Sequence, residues 1–99
     1  MDNTKGVSVL KQMRFNGEVV VVTGAGTGIG RATAEALAEL GAMTVLVART
    51  QSKLDEVKAA IEKNGGKAET FAADVSKEAD VGKLHDFVTG KWGRAKAVI

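Results

Sequence analysis

A glycine-dense turn, Gly24 to Gly30, constrains this sequence more than any other feature. The turn directly follows four consecutive valines, Val19 to Val22. An uninterrupted β-branched run of this kind predicts a strand buried on both faces, and we place that strand at residues 18–23. After the turn, apolar side chains recur at helical spacing and predict a helix with one apolar face. That face is expected to contain Ile29, Thr33, Ala36, Leu37 and Leu40.

The same alternation of strand and helix continues to the last residue. Further strands are predicted over residues 43–48, 68–73 and 95–99. Ser52 is expected to cap a second helix and Ser76 a third, which ends at Gly90. The inner faces of these helices are predicted from Leu54, Val57 and Ile61, and from Val81, Leu84 and Val88.

The resulting order, βαβαβαβ, predicts an α/β protein with a parallel sheet, helices on both faces and right-handed crossovers. As half of a Rossmann-type doubly wound sheet, its strands would lie in the order 3-2-1-4. Residues 1–16 are predicted to be a weakly structured lead-in. Residues 17–99 would form one nucleotide-binding segment that stops after the fourth strand.

Composition excludes several classes of function. Fourteen basic and twelve acidic residues give a net charge of +2, with both signs interspersed, so no basic face favours nucleic acid or a membrane surface. The absence of cysteine excludes disulfides and thiolate metal sites, and the lone His85 excludes a multi-histidine metal centre. No stretch approaches the roughly 18 apolar residues of a membrane span. We therefore expect a cytoplasmic domain.

The position of the glycine turn favours a phosphate-binding site. Glycine allows positive φ and lets the backbone approach a pyrophosphate, and the following helix start offers unpaired N–H groups. The spacing excludes the general G-x-G-x-x-G pattern, because its last glycine is replaced by Ile29 when counted from Gly24 and by Arg31 when counted from Gly26. A P-loop is excluded because no glycine–lysine–hydroxyl run exists.

The pattern that does match is T-G-x-x-x-G-x-G, formed by Thr23, Gly24, Gly28 and Gly30. It resembles the short-chain dehydrogenase/reductase family, and the resemblance extends from about Phe15 to the end of the sequence. A methyltransferase-like nucleotide fold is a weaker alternative, because the acidic residue usual before its turn is missing.

The resemblance implies an NAD(P)(H)-dependent oxidoreductase that reduces a carbonyl or oxidises a secondary alcohol. It implies that Gly24, Gly28, Ile29 and Gly30 hold the cofactor pyrophosphate, with Gly26 and Thr27 in the same site. In relatives, an Asp at the position of Asp74 contacts the adenine, together with the backbone of the next residue, Val75. Locally, Asp74 could equally close a turn or cap the helix that starts near Ser76.

Arg49 indicates which nucleotide is bound. An acid at the end of the second Rossmann strand binds the ribose 2′-hydroxyl of NAD, whereas a basic residue accommodates the 2′-phosphate of NADP. Here the strand ends without an acid, and Arg49 offers a planar fork of donors suited to phosphate. We therefore expect NADP rather than NAD as the cofactor.

The sequence contains no tyrosine. Family members use a Tyr-x-x-x-Lys pair and a serine in the half that follows the fourth strand, so we assign no catalytic residue and expect this chain to be catalytically incomplete by itself. An uncovered fourth-strand edge would favour a homo-oligomer or another association through that edge. The alternative function is a non-catalytic nucleotide-binding or dimerising interaction module.

Overall fold

The computed structural model describes residues 15–99, which form one parallel sheet with helices on both faces. The strands are β1 (Val19–Thr23), β2 (Met43–Ala48), β3 (Lys67–Ala72) and β4 (Ala97–Val98). All pair in parallel, and their order in the sheet is β3-β2-β1-β4. The predicted fold class and strand order are therefore confirmed. Most of the predicted lead-in, residues 1–16, lies outside the described residues.

The helices are α1 (Gly28–Glu39), α2 (Gln51–Lys63) and α3 (Glu78–Trp92). Successive strand residues face opposite sides of the sheet, so Val20 and Val22 pack with α1 and α2, whereas Val19 and Val21 pack with α3. This division explains why the valine run has no polar position, since both of its faces are covered. The two cores together bury nearly all of β1 and β2.

The predicted inner faces of two helices are partly wrong. In α1, Ile29 is 86% exposed and Ala36 is also exposed, whereas Ala34 and Ala38 are buried against the sheet. The two alanines lie one helical turn apart on the same face of α1, and the predicted Leu37 packs beside them against the same core. In α3, Leu84 and Val88 are buried as predicted, but Val81 is 44% exposed.

The predicted helix ends also differ from the structure. Thr50 and Lys77 occupy the N-cap positions of α2 and α3 without a side-chain cap bond, so neither Ser52 nor Ser76 is a cap. The helix α3 continues through Gly90 and stops at Gly93, whose φ of +85° breaks the helix. Within residues 15–99, no helix is both long and apolar enough to cross a membrane. A cytoplasmic location stays a prediction.

The strand β4 is shorter than predicted and pairs with β1 only over Val20 and Val21. Backbone bonds on either side extend the contact, with the N–H of Lys96 donating to Val19 and that of Ile99 donating to Val21. The Thr23 hydroxyl donates to the Ile99 carbonyl oxygen at 2.8 Å. The outer edge of β4 therefore ends the described sheet.

Candidate functional site

A cleft of about 270 Å³ lies at the carboxyl ends of β1, β2 and β3. Ligands of open parallel sheets bind at this edge, beyond the carboxyl ends of the strands. The loop after each of the three strands contributes to the lining. The lining residues are Gly24, Gly26, Thr27, Val47, Ala48, Arg49, Thr50, Lys53, Ala73, Asp74 and Val75.

Backbone hydrogen bonds anchor the walls of this cleft to the end of β2. The N–H of Ala25, in the glycine turn, donates to the Val47 carbonyl at 3.1 Å. From the other side, the N–H of Ala73 donates to the Ala48 carbonyl at 2.9 Å. The turns that follow β1 and β3 are therefore held on neighbouring carbonyls of the same strand, with the cleft between them.

The conformation of the glycine turn explains the spacing of its glycines. Gly24 and Gly28 have φ of +66° and +59°, and a Cβ on either would meet no atom within 4 Å. Both therefore require glycine for the backbone conformation rather than for space. Gly30 requires it for space, because a Cβ there would overlap the Gly24 carbonyl oxygen and lie 2.6 Å from its carbonyl carbon.

The start of α1 beside this turn is electropositive and uncapped. Thr27 is its N-cap residue and makes no side-chain cap bond, and the first turn contains no acidic residue. The N–H groups of the first helical turn, at Gly28, Ile29 and Gly30, have no partner within an α-helix, so they can bind an anion. These three predicted residues form the helix start next to the cleft and do not line it, and the Ile29 side chain faces outward.

Arg31, in the first half of α1, forms an ion pair within its own helix. Its Nε donates to the Glu35 carboxylate at 2.9 Å, one turn along the same helix. This pairing supplies the guanidinium with a counter-charge away from the first turn.

Asp74 lines the cleft and also closes a turn, so the two roles considered for it coexist. The backbone N–H and the hydroxyl of Ser76 both donate to its Oδ1, at 3.0 and 2.6 Å. These bonds, together with the positive charges of Arg49 and Lys77, hold the pKa of Asp74 below its ordinary value of 3.8. The backbone N–H of Asp74 donates to the Asp80 carboxylate at 2.8 Å. The Asp74 carboxylate is thus fixed as an ionised acceptor at the cleft wall.

Lys53 lines the cleft, although it is not among the site residues that the sequence predicts. It is the third residue of α2, and no pattern of apolar spacing marks it. One signal was available: a lysine in the first turn of a helix is opposed by the positive end of the helix dipole.

The comparisons with known proteins agree with this geometry. An uncharacterized oxidoreductase of Listeria monocytogenes is 40% identical over 86 residues, which are 87% of this chain and 35% of that protein. A metagenomic short-chain oxidoreductase solved with NADP superposes with a TM-score of 0.82 at 40% identity, over 85% of this chain and 38% of the other. The L-sorbose reductase of Gluconobacter frateurii, solved with NADPH and L-sorbose, superposes with a TM-score of 0.81 at 37% identity. This match covers 87% of this chain and 33% of the reductase.

The chain thus spans about a third of the length of these relatives. The family described as short chain dehydrogenase matches residues 18–99, from the start of β1 to the last residue. Because this family match covers more than half of the chain, the chain belongs to the short-chain dehydrogenase family.

Proposed function

We propose that residues 17–99 form the nucleotide-binding segment of an NADP(H)-dependent oxidoreductase. One observation carries the proposal: the glycine turn, Arg49 and Asp74 come from three separate loops and line one cleft. The three features match three groups of NADP: backbone donors can bind its pyrophosphate, a cation its additional phosphate and an acceptor its base.

The residues present fit such a nucleotide. The pyrophosphate would lie over the turn formed by Gly24, Gly26 and Thr27, against the uncapped first-turn N–H groups of α1. The ionised Asp74 and the backbone of Val75 would contact the adenine at the far wall of the cleft. The bound nucleotide would supply the hydride donor or acceptor of the reaction.

The choice of NADP over NAD depends on Arg49. No acidic residue stands at the end of β2, where NAD-binding proteins place the partner of the ribose 2′-hydroxyl. Arg49 instead presents an exposed guanidinium at the cleft wall. Support comes from the two similar structures, which were solved with NADP and with NADPH as bound nucleotides.

Because this chain spans about a third of the length of its relatives, the chemical step is proposed for a full-length protein of that kind. We propose carbonyl reduction or secondary alcohol oxidation, as the family implies. The sequence contains no tyrosine, so the expected general acid/base lies outside these 99 residues.

The test is a calorimetric titration of the 99-residue chain with NADPH and with NADH. Arg49→Ala should weaken NADPH by about 1.5–3 kcal/mol, the contribution of a hydrogen bond to a charged group, and should leave NADH nearly unchanged. Arg94→Ala is the matched control, because Arg94 is exposed and lies beside Gly17 and Trp92, away from the cleft. Equal weakening of both nucleotides by Arg49→Ala would contradict the NADP assignment.

The second candidate is a non-catalytic module that pairs with a second copy of this chain. The observation in its favour is an apolar hollow between α3 and β4, lined by Val21, Leu84, Val88 and Val98 among others. Val98 is 68% exposed, and no strand within residues 15–99 pairs with the outer edge of β4, which could therefore accept a strand of another chain. Sedimentation equilibrium tests it: a dimer that Val98→Lys disrupts supports the module, and a monomer at high concentration contradicts it.

A further inference from the structure

We infer that Lys53 is a second cation of the phosphate site and determines, together with Arg49, the preference for a nucleotide that carries a 2′-phosphate. This inference rests on the proposed function and names a specificity residue within the same cleft.

The placement of Lys53 depends on the glycine turn. A Cβ built on Gly26 would lie 3.3 Å from the Cβ of Lys53 and 3.8 Å from its Cδ. The aliphatic stem of Lys53 therefore passes along the backbone of Gly26, which only a glycine leaves open to this extent. The contact sets the start of the side chain inside the cleft and not on the outer surface of α2.

The electrostatic balance of this corner leaves an anion missing. Arg49 precedes α2 by two residues, Lys53 lies in its first turn, and the start of the helix adds its own partial positive charge. The first turn of α2 contains no acidic residue, and neither Arg49 nor Lys53 forms an ion pair with any residue in 15–99. Asp74 lies close enough to Arg49 to act as its counter-charge, but Lys53 is not among the charges that act on Asp74. A bound anion would therefore balance Lys53 and reduce the repulsion at this helix start.

The one acid that lines the cleft, Asp74, balances Arg49 and not Lys53. The Oδ1 of Asp74 already accepts two bonds from Ser76, and the charges that act on Asp74 are those of Arg49 and Lys77. Lys53 lies instead on the Gly26 side of the cleft. The charge of Lys53 is therefore available to bind an anionic ligand, because Asp74 does not neutralise it.

The connection from β2 to α2 favours a 2′-phosphate over the pyrophosphate as that ligand. The pyrophosphate site is the start of α1, whereas Arg49 and Lys53 flank the end of β2, which in Rossmann folds faces the adenosine ribose. A phosphate held by two cations from one short segment explains why the lysine is tolerated at an unfavourable helix position.

The experiment compares Lys53→Gln with wild type in titrations with NADPH, NADH, adenosine 2′,5′-bisphosphate and AMP. Glutamine keeps much of the stem over Gly26 and removes the charge. We expect about fivefold weaker binding of NADPH and of the bisphosphate, with NADH and AMP unchanged, since an exposed ion pair contributes modestly. Lys53→Arg should retain the preference. The matched control is Lys63→Gln, in the last turn of the same helix about 15 Å away, which should change none of the four affinities.

The outcomes separate this inference from the proposed function. If Arg49→Ala lowers the preference for NADPH and Lys53→Gln does not, the role of Lys53 is wrong and the proposed function stands. If Lys53→Gln weakens all four ligands equally, Lys53 contacts the adenosine 5′-phosphate that all four share, and the inference fails. A wild-type chain that does not prefer NADPH overturns both. Thermal unfolding without ligand guards against a folding defect, because removing a cation from a helix start should not lower the midpoint.

Discussion

The two faces of the sheet differ in how tightly they are packed. Strand residues are fully buried on both faces, but on the face covered by α1 and α2 the helix residues Ala34, Leu54 and Val57 are also fully buried, whereas Leu84 and Val88 of α3 remain 8% and 6% exposed. On the α3 face, the core is completed by half-buried aromatic rings, with Phe71 and Phe87 centred 4.9 Å apart and Trp92 packed edge-on against Phe87.

The difference follows the position of the cleft. The glycine turn and the β2–α2 connection, which carry the proposed phosphate contacts, are continuous with the tightly packed face. A site that must hold backbone donors in place gains from neighbours that cannot move. In α3, by contrast, Gly82 and Gly90 are exposed to solvent, and a Cβ on either would meet no atom within 4 Å.

Glycine-to-alanine substitutions on the two sides should have opposite signs, with the largest effect in the turn. Gly30→Ala should lower the free energy of unfolding by about 3 kcal/mol or more, because its Cβ would overlap the backbone of Gly24. Gly82→Ala, in α3 with open space around it, should raise that free energy by about 0.5–1 kcal/mol. Urea denaturation measures both. If both substitutions changed the unfolding free energy by equally small amounts, the glycine turn would accommodate a Cβ without strain, which would contradict the proposed difference in packing.

A pair of identical valine truncations tests the contrast in the helices. Val57→Ala, fully buried in α2, should cost about 2 kcal/mol of unfolding free energy, since burying a valine contributes about that much. Val81→Ala in α3 should cost less than about 0.5 kcal/mol, because Val81 is already 44% exposed and lies outside the buried core. Matched urea curves give both values. A Val81→Ala loss as large as that of Val57→Ala would show that the α3 face is packed as firmly as the other.

The smallest effect should come from the ion pair that ties β4 to the start of β1. Lys96 donates to Glu18 at 2.6 Å, and this bond together with the Asn16 N–H lowers the pKa of Glu18 from its ordinary value of 4.5. The stabilisation is therefore complete above pH 4.5 and is lost as the pH falls through the lowered folded value.

The midpoint difference between wild type and Glu18→Gln should accordingly be present at pH 6 and vanish in acid below pH 4.5. Lys96→Gln should return the pKa of Glu18, followed by carboxyl-carbon NMR, towards 4.5. A Glu18 pKa that does not respond to Lys96→Gln would contradict the tie.

The fold could be predicted from the sequence because its two main signals are local. The valine run and the glycine turn define β1 and the start of α1, and the alternation of elements leaves one common sheet order. The inner faces could not be predicted as well, because the approach of α1 depends on Ala34 and Ala38 meeting the strands, which apolar spacing ranks below Ile29. Lys53 was missed for the same reason, since its place in the cleft comes from packing on Gly26.

The pairing of β1 with β4 has a consequence for the order in which the molecule forms. Thr23 and Ile99, which this pairing joins, are 76 residues apart in the chain. Closing so long a loop is entropically costly and is rewarded by only a few backbone bonds. No residue beyond Val75 lines the cleft, and the bonds that hold Asp74 come from Ser76 and Asp80. During synthesis the phosphate-binding corner should therefore be complete while β4 is still inside the ribosome.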